Sequence, residues 1–149
     1  MNYLRYVPII CVIGAIVGVI SITQLWIHGV AGFEWSSDLT GIDLMGSDLD
    51  GFQKYLPIVI CAFSVLAAIM AILTMTVRRL WYGIFICMIL GIVVLVLTTV
   101  FSMWTIDGER IVHFVSSGFW LSYAAGGLIL VGAAIQYSLM FIKPRKSDR

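Results

Sequence analysis

The sequence predicts an all-α membrane protein, a four-helix antiparallel bundle with a small extracellular β-hairpin-like loop. Four long apolar stretches contain no Asp, Glu, Lys or Arg, and each has at least the ~20 residues that cross ~30 Å of hydrocarbon as a helix. Only 11% of the residues are charged, against roughly 25% in soluble domains. The chain 1–149 is therefore interpreted as one integral membrane domain, with predicted spans at 7–27, 56–77, 80–103 and 119–142.

The first stretch, 7–27, follows Arg5. A basic residue before an apolar stretch is also typical of a secretory signal peptide, which is the alternative interpretation. Its uninterrupted apolar length exceeds the roughly 7 to 15 residues of a signal-peptide core. We expect it to be a retained first helix.

The basic residues predict the orientation. Seven of the nine fall on one side of the predicted bundle, and seven of the eight acidic residues fall on the other. Positive charge is enriched on the cytoplasmic side of membrane proteins. We expect a multi-pass protein of the plasma membrane with both termini and the tail 143–149 in the cytoplasm. The cytoplasmic cations are Arg5, Arg78, Arg79, Lys143, Arg145, Lys146 and Arg149.

The predicted connections differ greatly in length. The turn at Arg78-Arg79 is minimal, so the second and third helices should be antiparallel neighbours. The outer loop 104–117 is modest, with Asp107-Gly108 as its turn signal. The outer loop 28–54 is long for so small a protein, and loops of this length commonly carry function.

Within the long outer loop, apolar and polar residues alternate at 33–36 and again at 40–44, which is typical of short strands. Residues 36–38 supply a turn between them. A lone hairpin is marginal in water, so we expect its apolar side to lie on the helix ends. That side consists of Phe33, Trp35, Ile42 and Leu44.

The same loop is acidic and is the candidate partner-binding surface. A polar cap on the bundle is the alternative interpretation. Calcium prefers several carboxylate oxygens, but the spacing here does not match an EF-hand, and no metal is predicted. The candidate binding residues are Phe33, Trp35, Asp38, Asp43, Asp48 and Asp50.

Small residues at helical spacing mark one narrow face on every predicted helix. Small faces let helix backbones approach closely, which favours association where lipid removes the hydrophobic drive. We expect a compact bundle without an aqueous pore, with large side chains such as Ile86, Val93 and Leu97 facing lipid or another copy. The candidate packing residues are Gly14, Gly18, Ser21, Gly83, Gly91, Gly118, Ser122 and Gly132.

Other chemistries find little support in the residues. Cys11 and Cys87 are the two cysteines at similar depth, and packing is their expected role. Ion-coupled carriers place charged side chains within the membrane, and the predicted spans have none. Trp26, His28, Trp104 and His113 form the candidate lining of an alternative outer-leaflet pocket. No cofactor is predicted, and the histidines lie too near the water boundary for a typical haem site.

The order of elements resembles a group of small uncharacterised four-helix membrane proteins of bacteria and archaea. The features shared are a long first outer loop containing 40–44, Tyr55-x-Pro57 at the start of the second helix, a minimal basic turn and a short second outer loop. The topology is also similar to that of claudin-like tetraspan proteins. The claudin signature of a loop Gly-Leu-Trp and two loop cysteines is missing here, so barrier or channel function is not implied.

The sequence therefore predicts a non-enzymatic tetraspan protein that acts by lateral helix association, as a scaffold, assembly factor or accessory subunit. Its expected partners are membrane lipids and either further copies of itself or another membrane protein, and not nucleic acid. The alternative is a lipid- or quinone-handling component of a membrane enzyme. That alternative requires the four pocket side chains to converge.

Overall fold

The computed structural model describes residues 7–29, 38–77, 82–106 and 108–142, and it is mostly helical. Three helices are long and apolar enough to cross a membrane, and one apolar helix is shorter. In chain order the helices are α1 (Pro8–Ser21), α2 (Gly41–Met45), α3 (Leu56–Thr76), α4 (Gly83–Ser102) and α5 (Ser117–Ile142). The membrane-length helices are α3, α4 and α5, and their bounds lie close to those predicted from the apolar stretches.

The first helix ends earlier than predicted. α1 stops at Ser21, and Leu25–Ile27 form a short strand, β1, so the prediction of one helix over 7–27 was wrong at its end. The last carbonyls of α1 find other partners: the Ser21 hydroxyl donates to Gly18 O, and the Trp26 indole N–H donates to Ser21 O at 2.7 Å. Trp26 and Ile27 of β1 are also residue types that favour extended backbone.

The four longer helices form a ring in the order α1, α5, α4, α3, with neighbours in contact. α1 packs along α5 from the pair Cys11–Gly132 to the pair Ser21–Gly118. α4 begins at Gly83 beside Thr74, near the end of α3, so α3 and α4 are antiparallel neighbours. This is the arrangement that the minimal turn at Arg78-Arg79 predicts, although the turn itself lies outside the described residues.

One end of the bundle is covered by a cap, by which we mean the described residues of 22–55 and 103–116. In the cap, β1 pairs antiparallel with β2 (Leu39–Thr40). On its other edge, β1 and the residue after it exchange hydrogen bonds with the segment just before α5: His28 N donates to Phe114 O and Ser116 N donates to Trp26 O, both at 2.9 Å. The strand is thus hydrogen-bonded on both edges, as buried backbone requires.

The predicted strand at 40–44 is mostly a helix, which corrects the sequence interpretation. Thr40 and Asp43 form a capping box that starts α2: the Thr40 hydroxyl accepts from Asp43 N at 3.2 Å, and Asp43 Oδ2 accepts from Thr40 N at 3.2 Å. Such reciprocal bonds favour a helix N-terminus over a strand. Leu44 is buried as expected, but Ile42 is exposed. The other predicted strand, at 33–36, lies outside the described residues.

A second small hairpin follows α4. Its strands are β3 (Thr105–Ile106) and β4 (Glu109–Arg110), paired antiparallel. Gly108, which was part of the predicted turn signal, has φ of +81°, a left-handed backbone that glycine adopts without strain. A 3₁₀ turn at Ile111–His113 then leads towards α5.

The outward face of α4 differs from the one predicted. Ile86, Val93 and Leu97 are half-buried, and the exposed row lies one residue to the side. Because α4 is apolar all round, hydrophobicity alone did not define its lipid-facing side. The exposed row is Phe85, Ile89, Ile92 and Val96.

Candidate functional site

The predicted packing faces lie at the contacts between helices. A Cβ on Gly14 would lie 2.9 Å from the backbone nitrogen of Ile129, and one on Gly91 would lie 2.8 Å from that of Leu130. Contacts this short with backbone atoms leave no room for a side chain. All eight candidate packing residues are buried: Gly14, Gly18, Ser21, Gly83, Gly91, Gly118, Ser122 and Gly132.

Among the described residues, four fully buried polar side chains lie inside the ring of helices, one from each of α1, α3, α4 and α5. Each hydroxyl donates to a carbonyl three or four residues earlier in its own helix, at 2.7 to 2.8 Å. Ser64 also fills the space opposite Gly18, where a Cβ would overlap its hydroxyl oxygen. These side chains therefore need no water or ligand to satisfy them. They are Ser21, Ser64, Thr98 and Ser122.

The hydroxyls of Thr98 and Ser122 also approach each other at 3.1 Å, across α4 and α5. Each has one proton, and each already contacts a backbone carbonyl. Two protons serve three short contacts, so one contact lacks a hydrogen at any moment. The neighbouring pair differs, because Tyr123 can donate to Thr99 at 2.7 Å while Thr99 donates to Leu95 O. This second pair is the better hydrogen-bonded link between the two helices.

Two of the three cysteines, Cys11 and Cys87, lie towards the end of the bundle opposite the cap. Cys11 and Cys87 belong to one buried cluster, together with Ala71, Ile84 and Ala133. Their thiols are free and contact carbonyls of neighbouring helices, Ile129 O at 3.4 Å and Ala67 O at 3.7 Å. Both residues therefore act as small packing groups in this structure.

The alternative pocket side chains do not enclose a common space. Trp26 and Trp104 are buried, and Phe101 lies against both, with ring centroids 4.9 Å and 5.8 Å away. His28 and His113 are exposed at the surface of the cap. Phe101 thus packs against both tryptophans, while the two histidines lie apart from them at the surface.

The candidate binding loop is only partly described. Phe33 and Trp35 lie outside the described residues, while Asp38, Asp43, Asp48 and Asp50 are all exposed. Among the residues that the structure describes, no three His, Cys, Asp or Glu side chains are grouped as metal ligands would be.

Two of these aspartates have structural partners. Asp38 Oδ1 accepts from Gly29 N at 2.7 Å and lies 3.8 Å from His28 Nδ1, which joins the two ends of the loop 29–38. The Thr40 hydroxyl, followed by the Thr40 backbone N–H, lowers the pKa of Asp43 because both donate to the charged carboxylate. Part of the acidic surface therefore organises the cap itself.

Sequence reasoning did not select Phe101 and Phe119, the two rings that complete the aromatic cluster with Trp26. Both are fully or almost fully buried. Their signal in the sequence was modest: each lies near the cap-side end of an apolar stretch, where aromatic residues are common in any membrane helix. Only the three-dimensional arrangement distinguishes a packed ring from an interfacial one.

Comparisons with protein-family models, with curated proteins and with solved structures found no match to this chain. The resemblance to small prokaryotic four-helix proteins with claudin-like topology stays a prediction.

Proposed function

We propose that this chain is a four-span membrane protein that acts without catalysis, by lateral association with other protein in the membrane. Its role would be that of a scaffold, assembly factor or accessory subunit. The fourth span is α1. Two observations support this: its residues are apolar, and it packs along α5 and α3, which are long enough to cross a membrane.

The observation that supports this function is the filled interior. Trp26, Phe101 and Trp104 occupy the cap end, and the buried hydroxyls are satisfied within their own helices. A lipid- or quinone-handling enzyme needs space for its ligand beside these side chains. Large apolar side chains instead remain exposed along the outer faces of the helices, where only lipid or another protein can cover them.

The charges support an orientation with the cap outside. The described acidic residues all lie in the cap, and seven of the nine basic residues of the sequence flank the apolar stretches on the side predicted to be cytoplasmic. Labelling of an introduced Asp48→Cys and Ser147→Cys from outside the cell tests it. We expect Asp48→Cys alone to react, and the reverse pattern contradicts the orientation.

Photo-crosslinking tests lateral association. A benzophenone amino acid would replace Ile13, Ile69, Ile89 or Val131 in turn, one exposed position on each long helix. We expect at least one of these positions to give a discrete protein adduct in native membranes. Asp48, exposed in the cap, is the control, because an adduct there alone would mean binding through the loop instead. No adduct from any helix position contradicts the proposal.

A further inference from the structure

The segment 41–55 of the cap, which we call the interfacial segment, has apolar side chains on two sides. Leu44 and Leu49 face the core and are buried. Ile42, Met45 and Phe52 remain 52%, 41% and 64% exposed. Three large apolar side chains within eleven residues are unusual for a surface that faces only water, since exposed apolar patches mark interaction sites.

The interfacial segment lies level with the ends of the helices. Gly41, at the start of α2, packs against Ile22 just beyond α1 and against Pro57 in the first turn of α3. At its other end the 3₁₀ turn Phe52–Tyr55 continues directly into α3. The segment therefore lies beside the helix ends and does not project away from the bundle.

The length of α4 shows how the level of the interfacial segment compares with the layers of a bilayer. The 20 residues of α4 extend about 30 Å, which equals the thickness of the hydrocarbon core. The headgroup layer adds roughly 5 to 7 Å on each side. A segment packed against the helix ends falls within that layer. Amphipathic segments that bind membranes lie at this depth.

The exposed apolar row of the segment also continues along α3. Phe52, Tyr55 and Ile58 follow at intervals of three residues and are all exposed. Further along α3, Ile69 and Ile72 are exposed as well. With Val65 also exposed between these two groups, the exposed apolar surface of α3 continues into the interfacial segment, which favours lipid as the partner.

Two charged groups of the segment have partners within the cap. Lys54 Nζ donates to Ser47 O at 3.2 Å and lies 5.2 Å from the centre of the Tyr55 ring. The carboxylate of Asp43 accepts from the Thr40 hydroxyl at 2.7 Å. Charged groups that already have hydrogen-bond partners lose less hydration free energy when lipid headgroups displace water from the surface.

We propose that the interfacial segment binds the adjacent leaflet, with Ile42, Met45 and Phe52 inserted among the lipid headgroups. This inference rests on the membrane placement of the bundle in the proposed function. The segment carries three aspartates and one lysine, so its net charge is negative. It therefore favours zwitterionic headgroups that present an ammonium group, such as phosphatidylcholine, over anionic ones.

Spin labels at three positions test the proposal. In a variant with Cys11, Cys61 and Cys87 changed to Ala, single cysteines would replace Phe52, Asp48 or Ile89, in phosphatidylcholine nanodiscs. Collisions with oxygen report lipid, and collisions with a water-soluble nickel chelate report water. We expect oxygen to dominate at Phe52 and Ile89, and nickel to dominate at Asp48.

Each other outcome overturns the inference in a recognisable way. Nickel access at Phe52 equal to that at Asp48 means that the segment faces water. Shielding of Phe52 from both reagents means that protein covers it. If nickel dominates at Ile89 as well, the membrane placement fails, and the proposed function fails with it.

A second measurement keeps the native cysteines, in case their replacement impairs folding. Amide hydrogen exchange across 41–55 would be compared between phosphatidylcholine and phosphatidylglycerol nanodiscs, with the middle of α4 as reference. We expect slower exchange in phosphatidylcholine for the segment and equal exchange for α4. Equal exchange of the segment in the two lipids overturns the headgroup preference, and faster exchange in phosphatidylcholine overturns the proposal.

Discussion

The two ends of the bundle are packed in opposite ways. At the cap end, the rings of Trp26, Phe101 and Phe119 meet edge to face or tilted, with centroids 4.9 to 6.3 Å apart. At the other end, small residues such as Cys11 and Ala133 let the helices touch directly. The difference follows from the backbone: non-helical chain at the cap leaves space that large side chains must fill, whereas straight helices close that space themselves.

The largest effect should come from emptying the cap cluster. Phe101→Ala removes a fully buried ring and is expected to lower the free energy of unfolding in detergent by about 3 to 5 kcal/mol. Phe52→Ala is the matched control, because Phe52 is 64% exposed, and it should cost less than about 0.5 kcal/mol. Equal losses for the two variants would mean that the aromatic cluster does not hold the cap end together.

The second-largest loss of stability should come from placing a large side chain in a close helix contact. Gly14→Leu places a side chain against the backbone of Ile129 and should lower stability by about 1 to 3 kcal/mol in the same unfolding assay. Gly127→Leu is the control, since a Cβ there meets no atom within 4 Å. It should be neutral or stabilising, because leucine favours helix more than glycine does. If both glycines accept leucine equally, close approach of helices is not what stabilises this region.

Removing hydroxyls between α4 and α5 should have a smaller effect. Tyr123→Phe deletes the bond to Thr99 and should cost about 0.6 kcal/mol, the average for hydrogen bonds between membrane helices. Ser122→Ala should cost less, since the Thr98–Ser122 contact lacks a proton part of the time. Chemical unfolding of the two variants side by side checks which loses more stability. A larger loss for Ser122→Ala would contradict the argument that the Thr98–Ser122 contact lacks a proton part of the time.

The smallest effect is expected in the stability of the cap at low pH. Thr40 lowers the pKa of Asp43 below its ordinary value of 3.8, so the capping box contributes stability above that pH. This contribution is lost as the pH falls through the lowered pKa. Thr40→Val should move the pKa of Asp43 back towards 3.8, as followed by carboxyl NMR. An unchanged titration of Asp43 would mean that the capping box is absent in solution.

Much of the helical layout could be predicted from the sequence, because long uncharged stretches leave few alternatives to a membrane helix. The prediction of 56–77 lies within a residue of the observed α3, Leu56–Thr76. The small face of α1 was also recognisable from Gly14 and Gly18, whose spacing repeats every turn.

The cap could not be predicted in the same way. The conformation of its short segments depends on local hydrogen bonds more than on hydrophobic periodicity. Thr40 and Asp43 fit both an alternating strand and a helix capping box, and only the partners of Leu39 and Thr40 in β1 decide between them. The residues that pair with β1 lie twelve or more positions away in the sequence. The contact between Trp26 and Phe101 likewise joins residues that are far apart in the sequence.

The most direct test of the central claim is the mass of the protein extracted from its native membrane in polymer-bounded lipid discs. Native mass spectrometry of these discs counts the chains and detects any bound small molecule. Lateral association predicts two or more protein chains in a fixed ratio, whether copies of this chain or a second protein. A single chain that carries a stoichiometric lipid, quinone or chromophore in the cap would contradict the account.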